Sequence, residues 1–329
     1  MKKEKKGKIK NLKFIRNITI KDNNSGHTKC DEIKYIDTIK TLLCLFDNKI
    51  ICLKIPELTK NLEYQEILNW HETPVFLSYQ ENTNRLYVKY NNLKKDEPGF
   101  TSVYTFKGNK ISISGFINFQ INDVIDVSDN KLIILDQDFC KCLTFINNEY
   151  KIIKKLDEKF SSIQLSPKKD KFIGVTNKNL LVIDINTFQK ITVINKQFNS
   201  SFCFLNNKYL VTRLINTFFI EIYDLKTFKM LCQETKKHYL NDSMVKAYSF
   251  GKSGYFIYNR FKDFGHYETI ITEFKNNKIE DLNCLNKVSL FGKFTYSDDF
   301  LFFEEDTTIK IYKIETEKNE DIEKKNCIK

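Results

Sequence analysis

The chain contains very little alanine, with Ala247 the only one in 329 residues, and few glycines (10) and prolines (4). Without alanine the chain lacks its strongest helix former. Ile, Phe, Tyr, Val and Thr, which suit a pleated and half-buried surface, are plentiful instead. No apolar run approaches the roughly 18 residues of a membrane span, and no apolar segment follows the basic N-terminus, so neither a span nor a secretory signal is expected. Arginine is confined to Arg16, Arg85, Arg213 and Arg260, and Trp70 is the single tryptophan. The nine cysteines have no short regular spacing, which fits reduced thiols in a cytoplasmic or nuclear protein.

What is present is charge and aromatic bulk. The formal net charge is +11, almost all of it lysine, and 14% of the residues are aromatic. Such a balance suits an acidic partner, but Lys, Asn and Ile rising together is also what AT-rich coding produces, so the placement of the lysines matters more than their sum.

The stretches "NLLVIDINTFQKITVI" (179–194) and "TFFIEIYDLKTFKMLCQE" (217–234) share one pattern: apolar strand, Asp, apolar residue, Thr-Phe turn, second strand. The apolar residue after the Asp, Ile185 or Leu225, has counterparts at Ile55, Phe106, Phe145, Phe274 and Ile314. The intervals are 51, 39, 40, 40, 49 and 40 residues, a period near 40 with two enlarged teeth. Each tooth divides into four short strands, a to d, as in "SSIQLS", "KFIGVT", "NLLVIDIN" and "KITVIN". Asp129-Asn130, Asn206-Asn207 and Asp298-Asp299 supply turn chemistry at a–b corners. Four strands at this period make a propeller blade. The seventh tooth has no d strand after Thr316, while "NLKFIRNITI" (11–20) has no partner, and lending one to the other closes the ring. The expectation is an all-β, seven-bladed β-propeller of four-stranded blades over residues 11–316, with a basic flexible tail at 1–10 and a polar C-terminal tail at 317–329.

Over nearly this whole length the chain resembles the WD40-like superfamily, through its period, its strand pattern and the strand ends "VIDINT" and "IYDLKT". It departs from that family in having no Trp-Asp pairs, and Gly26-His27 and Gly265-His266 lie out of register, which leaves the hydrogen-bonded tetrad of typical members without its usual residues. The resemblance implies a scaffold for proteins or nucleic acids, far less often an enzyme. "IKTLLCLFDNKIICLKIPELT" and "NRLYVKYNNLKK" also resemble citron-homology propellers of vesicle-tethering proteins.

Catalytic and metal-binding motifs are sparse. Gly251, Lys252 and Ser253 mimic the end of a phosphate loop, but Lys246 stands where its first glycine is needed. Cys140 and Cys142 share a strand face without two further ligands, and Asp136 and Asp138 suit a turn as well as a cation. No catalytic residue, metal or cofactor is expected, nor a small-molecule ligand.

Function is therefore expected on the surface. On the face of the b–c and d–a connections the loops have grown, and they carry aromatic and basic anchors. These are Trp70 and His71 between the first two blades, and Lys94, Lys95 and Phe100 in the second. Lys236, Lys237, His238 and Tyr239 precede the sixth blade, and Lys262, Phe264 and His266 lie within it. Asp47, Asp136, Asp138, Glu304, Glu305 and Asp306 share this face, and mixed charge favours a protein partner. The opposite face carries Lys107, Lys110, Lys168, Lys169, Lys171, Lys275 and Lys278 at its corners. Lys2, Lys3, Lys5, Lys6, Lys8 and Lys10 of the tail hang beside them and could join them on a polyanion. The leading expectation is a non-enzymatic scaffold mediating protein–protein interactions in a multisubunit complex. The alternatives are an RNA-binding ribonucleoprotein or ribosome-assembly component, or a vesicle-tethering propeller.

Overall fold

A computed structural model describes residues 9–19, 30–36, 40–46, 49–54, 64–69, 74–80, 83–90, 100–107, 110–117, 121–137, 139–146, 149–205, 207–214, 219–235, 248–250, 255–263, 266–285, 294–296, 300–305 and 308–316. Strands dominate them, and no helix occurs among the described residues.

The chain opens with β1 (Ile9–Thr19), which leaves its neighbours in sequence and pairs elsewhere. The first local meander is β2 (Cys30–Ile36), β3 (Thr41–Phe46), β4 (Lys49–Lys54) and β5 (Tyr64–Asn69). The second is β6 (Pro74–Gln80), β7 (Arg85–Tyr90), β8 (Thr101–Lys107) and β9 (Lys110–Ile117). A seven-stranded sheet follows: β10 (Ile121–Ser128), β11 (Lys131–Asp136), β12 (Phe139–Ile146), β13 (Glu149–Leu165), β14 (Lys171–Thr176), β15 (Leu180–Asp184) and β16 (Lys190–Ile194). Next come β17 (Phe198–Leu205), β18 (Tyr209–Leu214), β19 (Phe219–Asp224) and β20 (Met230–Thr235), then β21 (Tyr248–Phe250), β22 (Tyr255–Asp263), β23 (His266–Lys275) and β24 (Lys278–Leu285). The last sheet joins β25 (Phe294–Tyr296), β26 (Phe300–Glu305) and β27 (Thr308–Thr316) to β1, in the order β1-β27-β26-β25.

The seven-stranded sheet differs from the expected run of separate four-stranded units. Its cause is β13, 17 residues long, which pairs with β12 through Glu149–Lys159 and with β14 through Phe160–Leu165. No Gly, Pro or Asn lies between Glu149 and Leu165 to stop the strand, so the chain passes from one meander to the next without a turn. The expected closing strand pairs antiparallel with β27, Leu12 opposite Ile314 and Ile18 opposite Ile309. It begins at Ile9, so Lys10, assigned to the tail from sequence, lies within β1.

The innermost strands neighbour one another in sequence, from β25 through β2, β6, β10, β13 and β17 to β21, which is a propeller-like ring of sheets. The core is divided among the junctions between sheets. Leu43, Leu45 and Ile50 pack on Tyr79, Leu86 and Val88 across one junction, and Cys203, Leu205 and Ile222 on Phe256 and Ile270 across another. Ile18 on β1 is buried with Ile309, Ile311 and Phe302 against Ile33, Tyr35 and Leu42, so the closing strand contributes apolar contact as well as ladder bonds. Gly174 lies under the Phe160 ring, where a Cβ would stand 2.4 Å from Cδ1. Here glycine permits a close approach of strand and aromatic.

Candidate interaction faces

The repeated Asp-x-x-Thr-Phe stretches build the same c–d turn twice. Asp184 Oδ1 accepts from the backbone N–H of Asn186 (2.9 Å) and Thr187 (2.7 Å) and from the Thr187 hydroxyl (3.1 Å). Asp224 Oδ1 does the same with Lys226 (3.0 Å), Thr227 (2.7 Å) and its hydroxyl (2.9 Å). These donors, the Thr backbone N–H first, hold both carboxyls below the usual carboxylate range. Phe188 (φ 62°) and Phe228 (φ 53°) take the left-handed conformation that lets each turn close. Phe188 is buried beside Phe172, at 5.5 Å between centroids.

Lysines of neighbouring elements are spent on these turns. Lys131 Nζ donates to the Ile185 carbonyl (2.9 Å) and Lys154 Nζ to that of Thr187 (2.7 Å), tying β11 and β13 to the turn after β15. Lys171, expected as a polyanion contact, lies 3.5 Å from Asp170 and 5.5 Å above the Phe228 ring, so it serves the junction between sheets. Lys168, Lys169, Lys275 and Lys278 are exposed at corners of this face. Lys107 and Lys110 end β8 and begin β9 at such a corner. The start of β1 lies on this same side, with Ile9 opposite Thr316 at the end of β27. Lys2, Lys3, Lys5, Lys6 and Lys8 lie outside the described residues.

A buried polar network lies between β6–β7 and β10. The Asp126 carboxylate, fully buried, accepts from the Tyr87 hydroxyl (2.6 Å) and from the Thr83 hydroxyl. Arg85 Nη1 stands 3.9 Å from Asp126, and Nη2 donates to the Asp129 carbonyl (3.0 Å). Burial pushes the Asp126 carboxyl up against the pull of Thr83, Tyr87 and Arg85, and pushes Tyr87 up with the Asp126 charge adding to it. Also on β10, Asp123 accepts from the backbone N–H of Val124 (2.9 Å) and of Ile163 (3.1 Å), which staples β10 to β13. Enclosure outweighs those bonds and pushes its carboxyl up to about 6. Sequence reasoning missed both residues, although two aspartates in the inner strand "INDVIDVS" were a signal.

On the b–c and d–a face, charges are paired. Asp136 is bound by Lys141, Lys89 donates to Asn122 (3.0 Å), and fully buried Glu221 takes Lys196 (2.7 Å) and the Tyr223 hydroxyl (2.5 Å). Phe100, expected as an exposed anchor, is half-buried: it stacks on Tyr90 at 5.3 Å and continues edge-on to Phe116 at 6.2 Å. Phe116 is the exposed end of that aromatic row, at 53%. Lys262 and His266, expected in an enlarged loop, lie instead within β22 and β23, where Asp263 pairs with His266. The chain there prolongs a hairpin, because Phe261 and Tyr267 keep the ladder going. Trp70, His71, Lys94, Lys95, Lys236, Lys237, His238, Tyr239 and Phe264 lie outside the described residues. Cys140 and Cys142 are buried, and no group of three or more potential metal ligands occurs among the described residues. No helix among them is long and apolar enough to cross a membrane.

No family model and no curated protein matches the sequence. Structural similarity is broad, extending to 1098 chains. One is a chain of a structure titled "Crystal Structure of Mitotic Checkpoint Complex", with a TM-score of 0.66 at 8% identity, covering 92% of this chain and 94% of that one. The fold is a β-propeller. At that identity the likeness concerns the fold alone, and the propeller's turns, staples and paired faces are this chain's own.

Proposed function

We propose that this propeller is a non-enzymatic scaffold mediating protein–protein interactions within a multisubunit complex, in the cytoplasm or nucleus. The observation that carries this reading is the fold, matched across 92% of the chain by a component of a solved multiprotein assembly. The faces agree with it. Carboxylates and lysines alternate on the b–c and d–a side, and the row Tyr90, Phe100, Phe116 leads from core to surface there. An aromatic at such a rim is a good anchor for a protein pocket.

The ring has seven blades in this proposal. Dividing the seven-stranded sheet at β13, which serves as d strand to one meander and a strand to the next, gives four strands to every blade. The blades span residues 9–316, with β1 completing the last, and the divergence from WD40 repeats lies in the missing Trp-Asp pairs and the out-of-register Gly-His pairs.

The test is purification of the tagged chain from its native cells with chemical cross-linking, with and without ribonuclease. A protein complex of fixed stoichiometry that survives ribonuclease supports the scaffold. Combined Trp70→Ala, Phe116→Ala, Tyr239→Ala and Phe264→Ala substitutions are expected to weaken its capture by about thirtyfold or more, with an unchanged circular dichroism spectrum. Recovery of the chain alone, or of partners that all vanish with RNA, refutes it.

A further inference from the structure

Lys89 lies near the end of β7, on the b–c and d–a face, where the β6–β9 meander meets β10, β11 and β12. Side chains alternate along a strand, so it shares a face with Tyr87, which packs there on Ile121 and Ile134. It is half-buried, and its ammonium donates to the Asn122 amide oxygen at 3.0 Å, a neutral acceptor. Among the described residues no carboxylate stands within ion-pair distance of it. Asp136, the carboxylate whose charge reaches it, is bound by Lys141 instead. Burial lowers the Lys89 pKa from the usual lysine value while Asp136 pulls the other way, so enclosure outweighs the one anion in range. The other charges of this junction form its outer rim. Lys155 lies opposite Lys141 in the ladder and Lys159 opposite Phe139, with both ammonium groups over the Phe139 ring at 4.3 and 5.7 Å. Asp157, between them in sequence, is exposed, and Asp138 lies outside the described residues. Asp123 and Glu158 are engaged elsewhere, with the Ile163 N–H and with Lys190. Even with Asp138 counted, four lysines face three aspartates here, and the half-buried cation left without an anion is Lys89.

We propose that Lys89 is the receptor for one carboxylate side chain of a protein partner docked on the b–c and d–a face. The inference rests on the scaffold reading and names the group by which the partner is held. The mixed charge around Lys89 selects this occupant. A nucleic-acid strand or an anionic lipid surface would bring further negative groups against Asp136 and Asp157. A second copy docked through the same patch would set lysine on lysine. A single carboxylate on a protein surface answers the one enclosed cation and adds no other charge, and the pair strengthens as docking excludes water. In the free chain Lys89 gives up hydration without gaining a counter-charge, which is the pattern of a residue kept for function at some cost in stability.

The experiment joins a stability measurement on the isolated full chain to capture of its partners. Lys89→Met removes the charge and keeps an unbranched stem, and the free chain is expected to melt at the same temperature or higher. In tagged chain purified from its native cells, the same substitution should weaken partner capture by about tenfold or more, and Lys89→Arg should retain most of it. Lys159→Met, on the exposed rim, should change capture by about twofold at most. A water-soluble carbodiimide, which joins an amine to a carboxylate only where the two touch, should link Lys89 to an Asp or Glu of the partner. A fall of several degrees in the melting temperature of Lys89→Met would make the Asn122 bond structural and overturn the proposal. Equal loss of capture with Lys159→Met would also overturn it, as would carbodiimide links from Lys89 to this chain alone, or capture that vanishes with ribonuclease or with detergent extraction of lipid. A complex that persists in Lys89→Met would leave the scaffold standing and remove this site, whereas recovery of the chain alone would remove both.

Discussion

Replacing Asp126 by alanine removes the acceptor of the Tyr87 and Thr83 hydroxyls and leaves the Arg85 guanidinium, 17% exposed, without its buried partner. Breaking a buried ion pair from one side costs about 3–5 kcal/mol. Arg85 keeps the Asp129 carbonyl at 3.0 Å and the exposed Asp129 carboxylate at 3.7 Å, so the loss belongs near the lower end, about 3 kcal/mol. Tyr87→Phe forfeits one hydrogen bond to a charged group, about 2 kcal/mol. Because the two substitutions break the same 2.6 Å bond, the double variant should fall short of their sum by about 1.5 kcal/mol. Asp126→Asn should cost less than the alanine, because burial already presses that carboxyl toward neutrality. Urea unfolding followed by circular dichroism reads each value. With a slope of about 3 kcal/mol per molar, Asp126→Ala moves the midpoint down by about 1 M. A shift below about 0.3 M, or strict additivity in the cycle, refutes the reasoning that this network holds β7 to β10.

Removal of residues 1–19 takes away β1 and buried Ile18, and is expected to lower the melting temperature sharply and promote aggregation through the bared edge of β27, whereas removal of 1–8 leaves both nearly unchanged by scanning calorimetry. Asp184→Ala and Asp224→Ala should each cost about 1 kcal/mol in urea midpoints, and that penalty should fade as pH drops. The sign follows from depressed folded-state values: the contribution is present above the unfolded pKa and is lost as pH falls through the folded one. Asp123 behaves oppositely, since its folded value is raised from 3.8 to about 6. Its contribution is present at pH 3.8 and below and is lost as pH rises through 6, so between pH 4 and pH 7 the wild type should lose roughly 2 kcal/mol relative to Asp123→Asn, measured as paired urea midpoints.

The repeat was legible because its turns are chemically local. Asp184 to Thr187 and Asp224 to Thr227 contain the carboxylate and the donors it gathers, so spacing alone reveals them. The closing strand was legible for a related reason, as a β-rich segment and a blade short of one strand imply each other. What sequence hid is whatever depends on residues far apart in the chain. Arg85 and Asp126 meet only once two sheets pack, and Lys131 reaches the Ile185 carbonyl only once β13 joins two meanders. Loop length also misled at Lys262 and His266, where Gly265 reads as a loop while its aromatic neighbours extend the ladder. Phe100 looked like a free anchor because nothing in its neighbourhood announces that Tyr90, ten residues earlier, lies flat against it.

The pairing of β1 with β27 joins two strands made some 300 residues apart. At roughly 5–20 residues per second that is a delay of about 15–60 s. Throughout it Ile18 and the whole ladder edge of β1 lack the partner they have in the finished ring. Synthesis thus carries a sticky strand throughout that interval, and the interval, rather than the final stability, is when this protein most needs protection from its neighbours.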